Sequence, residues 1–226
     1  MTITVLVAGT NDPSNCDTLA DAFIEGLKEA GPVTIMKKRL RDLSIDHFTL
    51  DCYRSDFQPE EHFRMVQDWI QQSDGLVIAS PVWNFGIPAH LKNLIDRMGA
   101  FALDAETRTK GTLRGLPFFL VYTGGTAAPA WALQRMTTSA LPVALSYFKA
   151  SFYGQHFEPK CVPRRGEFTL VVDQHPERLR KVRQKGHNFA KGVHKFMQTG
   201  RPPLSRRLIY KGMKLGEAVL KKISPY

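Results

Sequence analysis

The stretch from Asp74 to Arg97, DGLVIASPVWNFGIPAHLKNLIDR, constrains the fold of this chain more than any other. Leu76 to Ala79 is an apolar run short enough for a buried strand. Ser80-Pro81 breaks it, and an aromatic-rich turn follows over Val82 to Gly86. Pro88 suits a first helical turn, where a missing N–H costs nothing. After it Leu91, Leu94, Ile95 and Met98 recur at helical spacing. The pattern predicts strand, loop, helix, with the loop leaving the carboxyl end of the strand, where open α/β sheets bind ligands. Trp83, Asn84, Phe85 and Gly86 then form a surface suited to a flat aromatic ligand.

The same grammar repeats along the chain. Ile3 to Ala8 reads as a first strand, and Leu19, Ala22, Phe23 and Leu27 mark a helix ending near Gly31-Pro32. Val33 to Met36 is a short second strand, and residues 37–59 are polar and irregular. A helix is predicted over Glu60 to Gln72, with Phe63, Val66, Trp69 and Ile70 inward. Leu116 to Tyr122 is the fourth strand, a helix runs from about Pro129 to Leu141, and Tyr147 to Phe157 is the fifth strand. Phe168 to Val172 reads as a small extra strand, and Pro176 to Met197 as a long basic helix with Leu179, Val182, Phe189, Val193 and Phe196 on its apolar face. Strands joined by helical crossovers must pair in parallel. The expectation is a three-layer α/β domain with a five-stranded parallel sheet in the order 2-1-3-4-5, spanning residues 1–198.

Composition restricts the setting. An apolar content of 43% and a charged content of 23% are those of an ordinary globular domain, and no run approaches the ~20 apolar residues of a membrane span. MTITVLVAG reads as a strand and not as a signal peptide. Three widely spaced cysteines, Cys16, Cys52 and Cys161, argue against a disulfide framework and for a reducing, cytoplasmic setting. The histidines lack metal-ligand spacing, so no metal is expected, and neither GxSxG nor GxxxxGK[ST] occurs. The net charge of +10 is uneven: residues 1–159 hold 14 basic and 17 acidic side chains, residues 160–226 hold 17 and 4.

Three loops are expected at the carboxyl edge of the sheet. The first offers the side chains of Thr10, Ser14, Asn15 and Thr18, and the N–H groups of a helix start, which together attract a phosphate. It holds no lysine or arginine. The second, Pro81, Val82, Trp83, Asn84, Phe85 and Gly86, offers aromatic surface and backbone donors. The third, Tyr122 to Thr126, carries Thr123 and the pair Gly124-Gly125, which lets backbone approach a ligand closely. A phosphate site, a planar slot and close backbone contact add up to flavin mononucleotide, although any one loop alone reads as a plain turn. Cys16 sits at a helix start, where it packs or caps beside the phosphate. His90 faces either a substrate or solvent. Arg39, Arg41, Arg108 and Arg114 are candidates for a nucleotide 2′-phosphate, each set against a solvated loop charge.

SPVWNFGIPAHLKNLIDR resembles the flavin-binding segment of the flavodoxin-like NAD(P)H-dependent FMN reductases and the related quinone and azo-compound reductases. GTNDPSNCDTLADAF is similar to that superfamily's phosphate loop and YTGGT to its third flavin loop. The phosphate loop departs from the pattern: Thr10-Asn11-Asp12 stands where Ser-Pro-Arg is common, and Cys16 where threonine is common. The resemblance implies a flavodoxin-like sandwich and FMN. It further implies hydride transfer from NADPH or NADH to flavin N5, a small electron acceptor such as a quinone, and a homodimer. No side-chain acid or base is demanded, because the flavin carries the chemistry. Trp83, Asn84 and Phe85 would hold one edge of the ring and Gly124 and Gly125 the pyrimidine side. An electron carrier, or a docking module without reductase turnover, is the alternative within the fold.

Residues 199–226 form a basic extension, and its sequence from 204 on has an amphipathic helical pattern. Packing on the domain or a partner subunit, and peripheral contact with an anionic membrane through 204–226, are its two main readings. It lacks a recognised nucleic-acid motif, and nucleic acid is not expected as a partner.

Overall fold

The computed structural model describes residues 1–162, 164 and 169–202. Five strands, β1 (Thr2–Val7), β2 (Thr34–Arg39), β3 (Gly75–Pro81), β4 (Pro117–Thr123) and β5 (Ser151–Glu158), form one sheet in the order β2-β1-β3-β4-β5. Every pairing is parallel. Six helices complete the described chain: α1 (Asn15–Glu29), α2 (Glu61–Gln72), α3 (Ala89–Ala102), α4 (Trp131–Thr137), α5 (Ala140–Tyr147) and α6 (Pro176–Thr199). The expected order and direction of the sheet are those observed.

Strand alternation divides the core in two. Leu6, Leu76, Ile78, Phe118 and Leu120 point to the side of α2, α3 and α5. Val5, Val7, Val77, Ala79, Phe119 and Val121 point to the side of α1 and α6. A parallel sheet covered on both faces needs such continuous apolar runs, which is why β3 and β4 are so plain in the sequence. Edge strand β2 behaves otherwise. It is only half buried and runs through Lys37, Lys38 and Arg39, beyond the apolar run that marks its start.

Two elements differ from expectation. The helix predicted over 129–141 is two helices, α4 and α5, with the break at Thr138-Ser139. Pro142 supplies the reason. In one continuous helix its absent N–H would leave the Thr138 carbonyl unmet, whereas in α5 it falls in the first turn, where no donor is required. Tyr147 consequently ends α5, and β5 begins only at Ser151. The described part of the extra strand expected over 168–172 is not a strand, and the chain enters a short 3-10 turn at Val172–Gln174. Phe168 and residues 204–226, with the amphipathic helix expected there, lie outside the described residues. Among the described residues no helix is long and apolar enough to cross a membrane.

Helices α1 and α6 cross with almost no space between their backbones. A Cβ on Gly26 would lie 1.8 Å from the Arg183 carbonyl oxygen, and one on Gly186 would lie 2.1 Å from that of Phe23. Neither is a possible contact, so both glycines are required by the crossing itself.

Candidate functional site

At the carboxyl edge the chain turns away from β1, β3 and β4 into three loops that share one cleft of about 320 Å³. Its walls include Thr10 and Ser14 from the first loop, Val82, Trp83 and Asn84 from the second, and Gly124 and Gly125 from the third. The loops after β1, β3 and β4 meet because those strands are adjacent, β3 and β4 ending level and β1 two residues short of them. Backbone bonds lock them together. The Ala8 N–H donates to the Ala79 carbonyl at 2.7 Å, and the Val82 N–H to the Thr123 carbonyl at 2.8 Å.

The first loop enters α1 through Ser14, whose Oγ accepts from the Asp17 N–H at 3.4 Å as the N-cap. Asn15 and Cys16 line the cleft, but their side chains are engaged behind it. Asn15 Nδ2 donates to the carbonyls of Cys161 and Thr169, at 3.3 and 3.0 Å. Its Oδ1 accepts from the N–H groups of Val171 and Val172, at 2.9 and 3.1 Å. Those four bonds exhaust an amide side chain, which leaves the backbone as what Asn15 offers a ligand. Cys16 Sγ lies 3.0 Å from Thr123 Oγ1, and burial pushes its thiol up to about 12, so no thiolate forms there at neutral pH. Thr18 is a turn further into the helix, where its hydroxyl donates to the Ser14 carbonyl at 3.1 Å, and it is not in the cleft wall.

In the second loop Trp83 and Gly86 exchange both backbone bonds, at 2.9 and 2.8 Å, around a two-residue turn. Asn84 (φ 47°) and Phe85 (φ 64°) are both left-handed, the pattern of a type I′ turn. Asparagine tolerates this conformation, whereas phenylalanine is strained by roughly 1 kcal/mol. Phe85 is 62% exposed and Trp83 40%. Pro81 and Asn84 line the cleft, while Phe85 and Gly86 stand outside its wall.

The third loop is continuous with the end of β5. The Gly124 N–H donates to the Glu158 carbonyl at 3.0 Å, and the Cys161 N–H to the Gly124 carbonyl at 2.9 Å. These bonds carry Cys161 and Val162 into the cleft as a fourth wall that no sequence motif marks. Behind it lies a buried polar group. The His156 imidazole N–H donates to Glu158 Oε2 at 2.9 Å, and Arg178 Nη1 lies 3.3 Å from Glu158 Oε1. Strand period alone puts His156 and Glu158 on one face, but their partner Arg178 comes from α6.

His90 is half buried and bonded, its Nε2 lying 3.0 Å from the Ala8 carbonyl oxygen, so it ties α3 to the start of the first loop. Arg108 donates to the carbonyls of Ala100 and Tyr53, both at 2.9 Å. Arg114 sits just before β4, at the opposite edge of the sheet from the cleft. Arg39 and Arg41 reach the first loop from the end of β2, where they donate to the carbonyls of Asn11 and Thr10.

A doubly covered parallel sheet in the order β2-β1-β3-β4-β5, with loops converging at its carboxyl edge, defines the flavodoxin-like class of α/β folds. The chain belongs to the NADPH-dependent FMN reductase family, whose model matches residues 1–154. It is 28% identical over 142 residues to the FMN-dependent NADH:quinone oxidoreductase of Bordetella parapertussis, covering 55% of this chain and 67% of that one. It is 30% identical over 132 residues to the protein of the same description from Bordetella bronchiseptica, covering 50% and 62%. The matched stretch is thus about two thirds of each relative's length or less. The FMN-dependent NADH-azoreductase from Bacillus anthracis str. Ames Ancestor, solved in complex with FMN, superposes with a TM-score of 0.62 at 15% identity, covering 84% of this chain and 100% of that chain. At such identity the likeness is one of fold.

Proposed function

We propose that this protein is an FMN-dependent NAD(P)H oxidoreductase that passes electrons to a small, planar, quinone-like acceptor. The observation that carries the reading is the single cleft. It gathers the phosphate-type loop, the Trp83-Asn84 turn and the Gly124-Gly125 turn within 320 Å³, inside the range of cofactor sites.

The residues suit such a cofactor. Thr10, Ser14 and the start of α1 offer donors and a helix dipole to a phosphate. Gly125 brings bare backbone to the cleft, while Gly124 has its N–H and carbonyl engaged with Glu158 and Cys161 and offers closeness of approach. Bound FMN would supply hydride chemistry at N5, between nicotinamide and acceptor. The chain's own task is to bind, orient and adjust polarity. Backbone N–H groups near Asn84, Phe85 and Gly125 would favour the negative charge that develops on the reduced ring. Cys16 and Cys161, both pushed up to about 12 by burial, stay neutral and add no competing charge to the floor. Trp83 and Phe85, exposed at the rim, would receive the second planar molecule. A homodimer belongs to the same reading. Leu133, Met136, Val143 and Tyr147 stand more than half exposed on α4 and α5, the helices that follow the third loop.

The test is flavin content and turnover. Protein purified with or reconstituted with FMN should be yellow, bleach with NADH or NADPH without oxygen, and recover colour on adding a quinone. Protein that takes up no FMN ends the reading; FMN that is bound but never reduced by either nicotinamide leaves only an electron carrier.

A further inference from the structure

The first loop lacks the cation expected beside a phosphate, and the fold brings two from elsewhere. Pairing of β2 with β1 sets Arg39 opposite Val7, the last residue before that loop. Lys37 and Arg39 share a face of β2, and Lys37 Nζ lies 2.7 Å from Asp17 and from Asp21, which places that face against α1. Arg39 therefore arrives at the N-terminal end of α1, only 18% exposed. It donates through Nη2 to the Asn11 carbonyl, and its Nη1 lies 3.5 Å from Asp12. Arg41 donates through Nη1 to the Thr10 carbonyl at 2.5 Å.

Each guanidinium thus grips the oxygen of one peptide unit of the loop. In a trans peptide the N–H points opposite to the C=O. The N–H groups of Asn11 and Asp12, the other ends of those two units, are therefore directed away from the arginines. A donor on the carbonyl also strengthens the N–H of the same unit. The lining of the cleft includes Thr10 and Asn11. Lys37 meanwhile occupies Asp17, the one acid in the first turn of α1, so that carboxylate opposes an incoming anion less.

We infer that Arg39 and Arg41 are positioning residues for a phosphomonoester dianion: they aim and polarise the first loop's N–H groups and supply the positive charge that the loop itself lacks. The inference rests on the proposed FMN site and adds to it a source of affinity specific to the 5′-phosphate.

The experiment compares FMN with riboflavin, which lacks only the phosphate, by quenching of flavin fluorescence in full-length protein. Wild type should bind FMN far more tightly, and the difference between the two flavins should shrink with added salt. Arg39→Gln and Arg41→Gln should each weaken FMN at least about tenfold while riboflavin stays within about twofold, with Arg41→Lys recovering part of the loss. Equal losses for both flavins in both variants would show that the arginines merely hold the loop's shape, and unchanged FMN binding would show that they do nothing; either result overturns the inference. Should a variant not fold, a salt-independent FMN-to-riboflavin ratio in the wild type overturns it equally. If wild type binds neither flavin, it is the proposed function that fails.

Discussion

At the scale of single residues, the side chains that hold the site's frame are buried polar ones whose partners lie far along the chain. Asn15 spends all four of its hydrogen bonds on the segment from 161 to 172, and so ties the fourth wall of the cleft to the start of α1. Arg97 does similar work on the other side of the sheet. It is fully buried, lies 4.2 Å over the Phe63 ring, grips the Glu60 carboxylate with both terminal nitrogens and donates to the Asp46 carbonyl at 3.0 Å. It thereby holds the irregular stretch between β2 and α2 against α3. Glu60 keeps some contact with solvent, so stranding its carboxylate costs less than in a fully buried pair, and the loss on removing Arg97 is about 1–3 kcal/mol. Arg97→Ala should lower the urea midpoint accordingly, with an unchanged denaturant slope. A loss below about 1 kcal/mol would mean that water reaches Glu60 freely. Arg97 closes the Asp74–Arg97 segment, yet the sequence assigns it no role, because its partners lie 37 and 51 residues away.

At the scale of elements, periodicity reports what a segment buries and is silent about what it meets. α1, α3 and α6 were legible because each has one apolar stripe, and β3 and β4 because both their faces are covered. β2 runs three residues past its apolar stretch, since an edge strand carries charged residues without penalty. The division of α4 from α5 depends on a single missing donor at Pro142, which the apolar pattern does not register. The α1–α6 crossing is the sharpest case. Gly26 and Gly186 look like weak points in two helices, and each is the only residue its backbone neighbour allows. Gly186→Ala raises intrinsic helix propensity by up to about 1 kcal/mol. It should nevertheless destabilise the protein by about 3 kcal/mol, because the clash is with backbone and not with a movable side chain. Thermal unfolding of Gly186→Ala beside an exposed control, Gln184→Ala, checks this; a more stable Gly186→Ala protein would refute the close crossing.

At the scale of the whole molecule, stability and site are joined at the carboxyl end of β5. His156 is buried against Glu158, with Arg178 on the same carboxylate and Lys181 and Lys185 nearby. Burial, aided by those two lysines, holds its pKa below the ordinary 6.5, against the opposing pull of Glu158. The unfolded chain therefore takes up this proton first. Stability is complete above about pH 6.5 and declines as the pH falls toward the lower folded value. His90, also shifted down by burial, contributes with the same sign. The loss of unfolding free energy between pH 7.5 and 5.5 should be smaller in His156→Gln than in wild type, though not zero while His90 remains. An identical loss in both would remove His156 from the account. The sequence by itself determined the strands, the helical crossovers and the loops that close them, because burial period and turn chemistry are local properties that the chain carries wherever it goes. Only the tertiary structure decided that Arg39 and Arg41 stand behind the first loop, that Cys161 and Val162 close the cleft, and that Asn15 turns away from it. Those are contacts between segments distant along the chain, and their geometry exists only once the sheet has set its register.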